Sequence, residues 1–394
     1  MLEPRSLAAT LAIAALVALG PLSTDMYLPS LPELSRVFAT DSGRVQLTLS
    51  LFLAGFAIAQ LIYGPLSDRY GRKPVLMGGL VLFLLATIGC ALAADIDTLI
   101  AFRFLQALGG SAGPVLGRAM VRDIHGPRES GRVLSHIGSA MALAPAVAPV
   151  VGGFMLVWLG WASIFWFLAV FALLAMTVLH RLIGETAPEA HRHPRSIGRI
   201  LSDFGVLLRD RRYVAYTLAC TFSFAGLFVF LSVSSFVVID YFGYAPEQYG
   251  LWFMFVVSGY LSGTLIGGRL SRSLGHFRLV RGAALLCLLG GALILVPGSG
   301  HPSHLLLVML PMMLYMLGVG IVMPQAMAGA LADYPQMAGS ASGLMGFIQM
   351  TSAGLLGSLA GHLHQGTPTV MVAFIAACGL ACSASAWLLL RRMS

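Results

Sequence analysis

Apolar runs of about twenty residues recur along the whole of this 394-residue chain, each as long as a helix must be to cross the ~30 Å hydrocarbon core of a bilayer. Inside that core only helices and closed barrels satisfy the backbone's hydrogen bonds. By this template twelve spans lie near 7–28, 45–66, 75–94, 98–118, 133–157, 162–182, 213–239, 248–268, 278–297, 304–326, 340–361 and 368–390. The composition agrees: 58% of the residues are hydrophobic and 10% charged, whereas a soluble chain carries about 25% charged residues. The expectation is an all-α, multi-pass membrane protein. The first run lacks a convincing cleavage site and reads as helix 1, not as a removed signal peptide.

The connections are short except for 183–212, "IGETAPEAHRHPRSIGRILSDFGVLLRDRR". This polar stretch predicts two six-helix halves, 1–182 and 213–394, joined by a linker loop at 183–212. Of the 24 basic residues, 21 fall at the termini or in, or within four residues of, the connections after spans two, four, six and eight. Arg36 and Arg44 lie in connections after odd spans, and Arg103 lies within span four. By the positive-inside rule both termini and the 183–212 loop are cytoplasmic. An internal repeat supports the halving: "GPLSDRYGRKP" (64–74) after span two matches "GRLSRSLGHFR" (268–278) after span eight at Gly, Leu, Ser and the second Gly, with Arg272 standing opposite Asp68. Duplicated halves are how many secondary transporters are built, with the substrate site between them.

Several stretches then carry a resemblance. "GPLSDRYGRKP" resembles the loop 2–3 signature of the major facilitator superfamily. "DMYLPSLP" at the end of helix 1, "QLTLSLFLAGFAIAQLIYGPLSD" through helix 2 and "RFLQ" in helix 4 resemble drug/proton antiporters of the bicyclomycin-resistance (Bcr/CflA) type. Helix 5 carries "ALAPAVAPVVGG", a softened form of the superfamily's antiporter motif, with Pro145, Pro149, Gly152 and Gly153. The resemblance implies twelve helices in two pseudo-symmetric bundles, alternating access, and proton-coupled export of small antibiotics, bicyclomycin- or chloramphenicol-like, across the bacterial inner membrane. An exporter of a metabolite or amino acid on the same scaffold is the alternative. In the loop 2–3 signature the resemblance implies a cytoplasmic latch of Gly64, Asp68, Arg69, Gly71 and Arg72, paired with Asp123.

Two charges stand where apolar residues would be cheaper. Asp25 lies near the end of span one, followed by Pro29 and Pro32, which bend or end a helix. Arg103 lies inside span four, where an unpaired charge costs about 2.5–3.5 kcal/mol, so it is expected to face the interior and find an acidic or carbonyl partner. Counting ~1.5 Å per residue puts both at similar depth. A carboxylate there is held between desolvation, which favours its neutral form, and a nearby cation, which favours its charged form. Asp25 is therefore the candidate proton carrier and Arg103 its candidate partner. Gly138, Ala142, Pro145, Pro149 and Gly153 mark a small-residue stripe suited to close helix packing. Tyr27, Phe224, Phe228, Gln325 and Gln349 are candidates for an aromatic cavity with few polar groups.

Other chemistry finds little support. The five cysteines sit in apolar runs without metal spacing and read as packing residues. His301, His304, His362 and His364 occupy two outward loops with no carboxylate or thiol near them in sequence, and His191 and His193 lie in the linker; all read as solvated. There is no Gly-x-x-x-x-Gly-Lys-Ser/Thr loop for a nucleotide, and no nucleophile, base and acid converge at one depth. The chain is expected to be a secondary active transporter, not an enzyme, with no cofactor or metal and no nucleic-acid partner. Its expected partners are a small drug, protons and the bilayer, and it is expected to act as a monomer.

Overall fold

The structure is a computed structural model. It describes residues 7–182, 184–186, 197–298, 302, 304–334 and 337–389, with 7–11, 122, 125–144, 182, 197, 199–201, 272, 297–298 and 388–389 as backbone only. The described residues are helical nearly throughout. Eleven helices are long and apolar enough to cross a membrane, and the shorter apolar helix Pro145–Leu159 makes the twelfth. The chain divides into two compact units: Met1–Thr40 with Leu47–Arg195, and Asp41–Gln46 with Ser196–Ser394.

In the first unit, α1 (Leu7–Asp25) stops at Asp25, passes through a 3-10 turn (Leu28–Ser30) and continues as α2 (Leu31–Val37). The apolar segment therefore runs Ala12–Val37, past the predicted end at residue 28. Hydropathy registers only the apolar residues on both sides of the break, not the break itself. Next come α3 (Ser42–Tyr70), α4 (Arg72–Ala91) and α5 (Ile96–Gly110). Asp95 caps α5, its carboxylate accepting from the Thr98 N–H at 2.8 Å and from the Thr98 hydroxyl at 2.8 Å. Then α6 (Ala112–Leu159) runs unbroken where the sequence predicts a loop at 119–132, and α7 (Ala162–Leu182) follows. Polar residues such as Arg and Glu leave hydrocarbon yet remain good helix formers, so the end of an apolar run need not end a helix.

In the second unit, α8 (Ile197–Arg209) is an amphipathic helix within the stretch read as a polar loop. Asp203 on α8 accepts from the Ser340 hydroxyl at 2.9 Å. Asp210 then caps α9 (Arg211–Ser235). A π-helical turn (Phe236–Tyr241) closes that span, and α10 (Pro246–Gly298) carries two spans bent at Gly275, where φ is 72°. The last helices are α11 (Leu306–Leu331), α12 (Ala338–His362) and α13 (Thr369–Ala384).

Small residues set the closest helix contacts, because in a membrane packing does what the hydrophobic effect does in water. A Cβ on Gly259, Gly263 or Gly320 would strike a backbone carbonyl across the α10–α11 seam. Gly113 does the same against Leu16, and Gly152 against Met26, just past Asp25. Gly64 differs: it lies inside α3, and a Cβ there meets nothing within 4 Å. No close helix approach depends on Gly64. We expect Gly152→Val to lower the thermal unfolding midpoint of the detergent-purified protein by several degrees. Gly64→Ala should leave it unchanged or slightly raised, since alanine gains up to about 1 kcal/mol over glycine in a helix. Equal midpoints for the two variants would contradict this packing.

Candidate functional site

Arg103 is fully buried. Its Nη1 donates to the Ser23 carbonyl at 3.1 Å and to Gln106 Oε1 at 2.6 Å. Gln106 lies three residues on, on the same face of α5, and its Nε2 donates to Thr87 Oγ1 on α4 at 2.8 Å. Thr87 in turn donates to the Phe83 carbonyl at 2.6 Å. Three rings surround the guanidinium, with centroids 4.3 Å (Phe52), 4.6 Å (Tyr27) and 5.9 Å (Phe165) away. Such contacts are worth about 0.5–2 kcal/mol each, more when desolvated. Tyr27 is fixed by a 2.9 Å hydrogen bond between its hydroxyl and that of Thr48. Arg103 Nε and Nη2 have no hydrogen-bond partner among the described residues.

Asp25, the last residue of α1, is 5% exposed. The sequence led us to expect Arg103 at its side. Among the described residues, however, Asp25 forms no ion pair, whereas Arg72 pairs with Asp68 and Asp123 and Arg212 with Asp333. Arg103 instead bonds the chain two residues earlier, at the Ser23 carbonyl. Depth counted along a helix fixes height but not azimuth, and residues two apart lie about 200° apart around the axis.

At the other end of the unit, Arg72 joins two acids, as the motif resemblance implied. Its Nη1 lies 2.5 Å from Asp68 Oδ1 and its Nε 3.2 Å from Asp123 Oδ2, and Nη1 also donates to Ser67 Oγ at 2.5 Å. Arg69 takes no part in these contacts; its guanidinium lies 5.1 Å from the Tyr70 ring centroid. Gly71 adopts φ 97°, a backbone that L side chains rarely take, and it starts α4. The free N–H groups there are met by Glu185, which follows α7: its carboxylate accepts from the Arg72 N–H at 2.9 Å and the Lys73 N–H at 3.2 Å. A negative group at a helix N-terminus is worth about 0.3–1 kcal/mol. Nothing local marks Glu185, which is 113 residues from Arg72.

The repeat noticed in the sequence is also structural. Ser67 Oγ donates to the Gly64 carbonyl at 2.9 Å, and Ser271 Oγ to the Gly268 carbonyl at 2.9 Å. Gly71 and Gly275 both have positive φ. His276 takes the place of Arg72, and its Nδ1 lies 2.8 Å from Gln325 Oε1, while Gln325 Nε2 donates to the Gly267 carbonyl at 3.2 Å. Both ends of the Gln325 amide are therefore engaged, by His276 and by the Gly267 carbonyl of α10. Sequence gave its depth but not this partner.

The other candidates fall on α6, α9 and α12. Phe224 and Phe228 stack at 6.4 Å on α9, Phe228 buried and Phe224 half-buried. Gln349 is buried on α12. On α6, Pro149, Gly152 and Gly153 are buried and Pro145 half-buried; the side chains of Gly138 and Ala142 lie outside the described residues. His362 Nδ1 lies 2.9 Å from the Ser358 carbonyl, and His364 packs against Phe236. His191, His193 and His301 lie outside the described residues.

The Thr87–Gln106–Arg103 chain yields a stability prediction. Gln106→Leu leaves Arg103 with one acceptor fewer in a dry site, and should cost about 1–3 kcal/mol. Thr87→Val added to that background should cost much less than Thr87→Val alone, because its partner is already gone. Strictly additive losses in a double-mutant cycle on unfolding midpoints would disprove the coupling.

Residues 13–358 match the model of the Major Facilitator Superfamily. The chain is 36% identical to the MFS-type transporter YdgK of Bacillus subtilis, over 88% of this chain and 86% of that one. It is 29% identical to a bicyclomycin resistance protein homolog of Haemophilus influenzae, over 93% and 92%. Its fold is similar to that of the xylose transporter XylE from E. coli, with a TM-score of 0.76 at 14% identity, covering 98% of this chain and 97% of that one. The chain belongs to the Major Facilitator Superfamily.

Proposed function

We propose that this chain is a proton-driven exporter of small antibiotics, working by alternating access between two six-helix bundles, 1–182 and 213–394, joined by 183–212. The observation that carries the reading is Asp25: a carboxylate 5% exposed at a break in a membrane helix, in no ion pair among the described residues. A buried acid that is merely structural is held by a cation or by hydrogen-bond donors; one without them is free to exchange a proton whenever water reaches it. The likeness to a bicyclomycin resistance protein homolog supports a drug as cargo. The chain acts as a monomer in the bacterial inner membrane, with both termini and the 183–212 linker cytoplasmic, as the distribution of arginines indicates.

The residues take these roles. Asp25 carries the proton. Arg103 holds the break in α1 through the Ser23 carbonyl and a ring of Tyr27, Phe52 and Phe165, and supplies the positive charge that the carboxylate senses when its surroundings change. Phe224, Phe228, Tyr27 and Gln349 contribute apolar walls and a neutral amide to drug binding, and the stripe Pro145, Pro149, Gly152 and Gly153 seals a helix seam. Gly64, Asp68, Arg69, Gly71, Arg72 and Asp123 form the cytoplasmic latch, with Arg72 as its hub. Each exposed pair there is worth only about 0–1 kcal/mol, which suits an element that opens every cycle, since states that interconvert differ by a few kcal/mol. One proton moving down 100 mV releases about 2.3 kcal/mol and a tenfold gradient costs about 1.4 kcal/mol, so one proton per neutral drug sustains a gradient of roughly fiftyfold.

The test is proton release. Purified wild-type protein should release protons when substrate is added, whereas Asp25→Asn should bind drug, release none and give no energised efflux. If Asp25→Asn still exports a neutral drug against a gradient, with the wild-type loss at alkaline pH, another residue is the carrier. The substrate class is tested separately, by expression in a pump-deficient bacterium challenged with bicyclomycin, a chloramphenicol-like drug and a lipophilic cation. No resistance to any of them would move the cargo to a metabolite or amino acid. Asp68→Asn should impair transport while drug binding in detergent stays near wild type, because Arg72 keeps Asp123 but loses its 2.5 Å partner. Lost binding with normal cycling would refute that placement.

A further inference from the structure

Two membrane spans of the second unit meet beside Arg281. The chain crosses at Arg211–Tyr241, returns at Pro246–Ser271 and sets out again at Ser273–Val296. Arg281 therefore lies toward the end of its span on the same side as α8, which precedes Arg211. Trp387 closes the Thr369–Trp387 span, and its indole N–H donates to the Arg281 carbonyl at 3.0 Å. Tryptophan at the end of a span marks the head-group level, and this bond holds Arg281 beside it. The guanidinium lies 3.9 Å from the Trp387 ring centroid and 5.2 Å from that of Phe277, four residues back. It thus leans toward the start of its own helix, as helical side chains do, which here is toward the head groups.

What this cation lacks is an anion of the chain. No Asp or Glu occurs between Glu247 and Asp333 or after Asp333. The acids on that side of the unit are engaged elsewhere: Asp203 with Ser340, Asp210 with Tyr334 and Asp333 with Arg212. Among the described residues Arg281 belongs to no ion pair, and its Nε has no hydrogen-bond partner. Rings against a guanidinium cover its flat face and leave the in-plane N–H fork, the edge that binds a phosphate bidentately. Arg278, three residues back and exposed, adds a second positive charge on the same face. Position then selects the source of the phosphate. One and two turns beyond Arg281 stand the exposed Leu285 and Leu289, with the exposed Leu380 on α13, a surface for an acyl chain. We propose that Arg281 and Arg278 hold the phosphate of an anionic phospholipid of the phosphatidylglycerol class, in the leaflet on the side of α8. Basic clusters at this level draw such lipids. The inference rests on the chain spanning a membrane and is independent of its cargo.

The experiment is native mass spectrometry of the full chain, carried in detergent with equal amounts of phosphatidylglycerol, which is anionic, and phosphatidylethanolamine, which is zwitterionic. Wild type should retain the glycerol lipid roughly twentyfold over the ethanolamine lipid, since each arginine at an anionic head group contributes about fivefold. Arg281→Gln and Arg278→Gln should each cut that preference about fivefold; Arg278 is exposed, so its variant covers the case in which the first misfolds. Arg269→Gln, which removes another exposed arginine of the same connection, should leave the preference intact. Asp25→Asn should leave it intact too, so that failure of the transport reading and failure of this one are told apart. Equal retention of the two lipids by wild type, or a full preference in Arg281→Gln, overturns the proposal. A loss in Arg269→Gln as large as in Arg281→Gln also overturns it, by making the attraction one of diffuse charge. So does displacement of the lipid by millimolar inorganic phosphate, which would make a soluble anion the ligand.

Discussion

A backbone in hydrocarbon has only itself to hydrogen-bond with, and everything else in this protein follows from that. The few interruptions of the helices inside or beside the spans are short, and each is closed by nearby donors and acceptors. After Asp25 the ladder is carried on by Met26 N–H to the Leu22 carbonyl at 3.2 Å and Ser30 N–H to the Tyr27 carbonyl at 3.0 Å. Small hydroxyl residues on α1 turn back on their own helix, Ser23 to the Leu19 carbonyl and Thr24 to the Gly20 carbonyl. The chain can therefore break a membrane helix beside a buried acid without leaving that turn unpaired.

Arg103 shows how a full charge is tolerated under the same constraint. It keeps one strong acceptor beside it, Gln106, and borrows a carbonyl from α1. The remainder of its solvation comes from the faces of three aromatic rings. The result ties α1, α4 and α5 together through the Arg103–Gln106 pair, since Gln106 also reaches Thr87. With the Ser23 carbonyl as a partner, movement of the broken end of α1 is felt by the guanidinium directly.

The two halves share a backbone device and differ in its chemistry. Gly71 and Gly275 make the same positive-φ bend, and Ser67 and Ser271 the same 2.9 Å hydrogen bond. In the first half a permanently charged arginine then grips two carboxylates. In the second half a histidine meets a neutral amide. The first arrangement depends on charge and is sensitive to salt; the second holds with far less charge. Duplication supplied the bend, and divergence placed the ionic grip on one side.

The sequence by itself determined the number of spans and the repeat, because hydropathy and short motifs are local properties along one helix or one turn, whereas the pairing of Arg72 with Asp123 was implied only by the resemblance of the loop 2–3 motif. It located Asp25 and Arg103 as the two costly charges for the same reason. Only the tertiary structure decided what those charges touch. Arg103 met Ser23 and Gln106 rather than Asp25, since counting residues gives depth but not the direction a side chain faces around its axis. Glu185 at the start of α4 and His276 on Gln325 were invisible because their partners lie 113 and 49 residues away. The unbroken α6 was missed because an apolar run reports where hydrocarbon ends, whereas a helix ends where its backbone loses its next hydrogen bond.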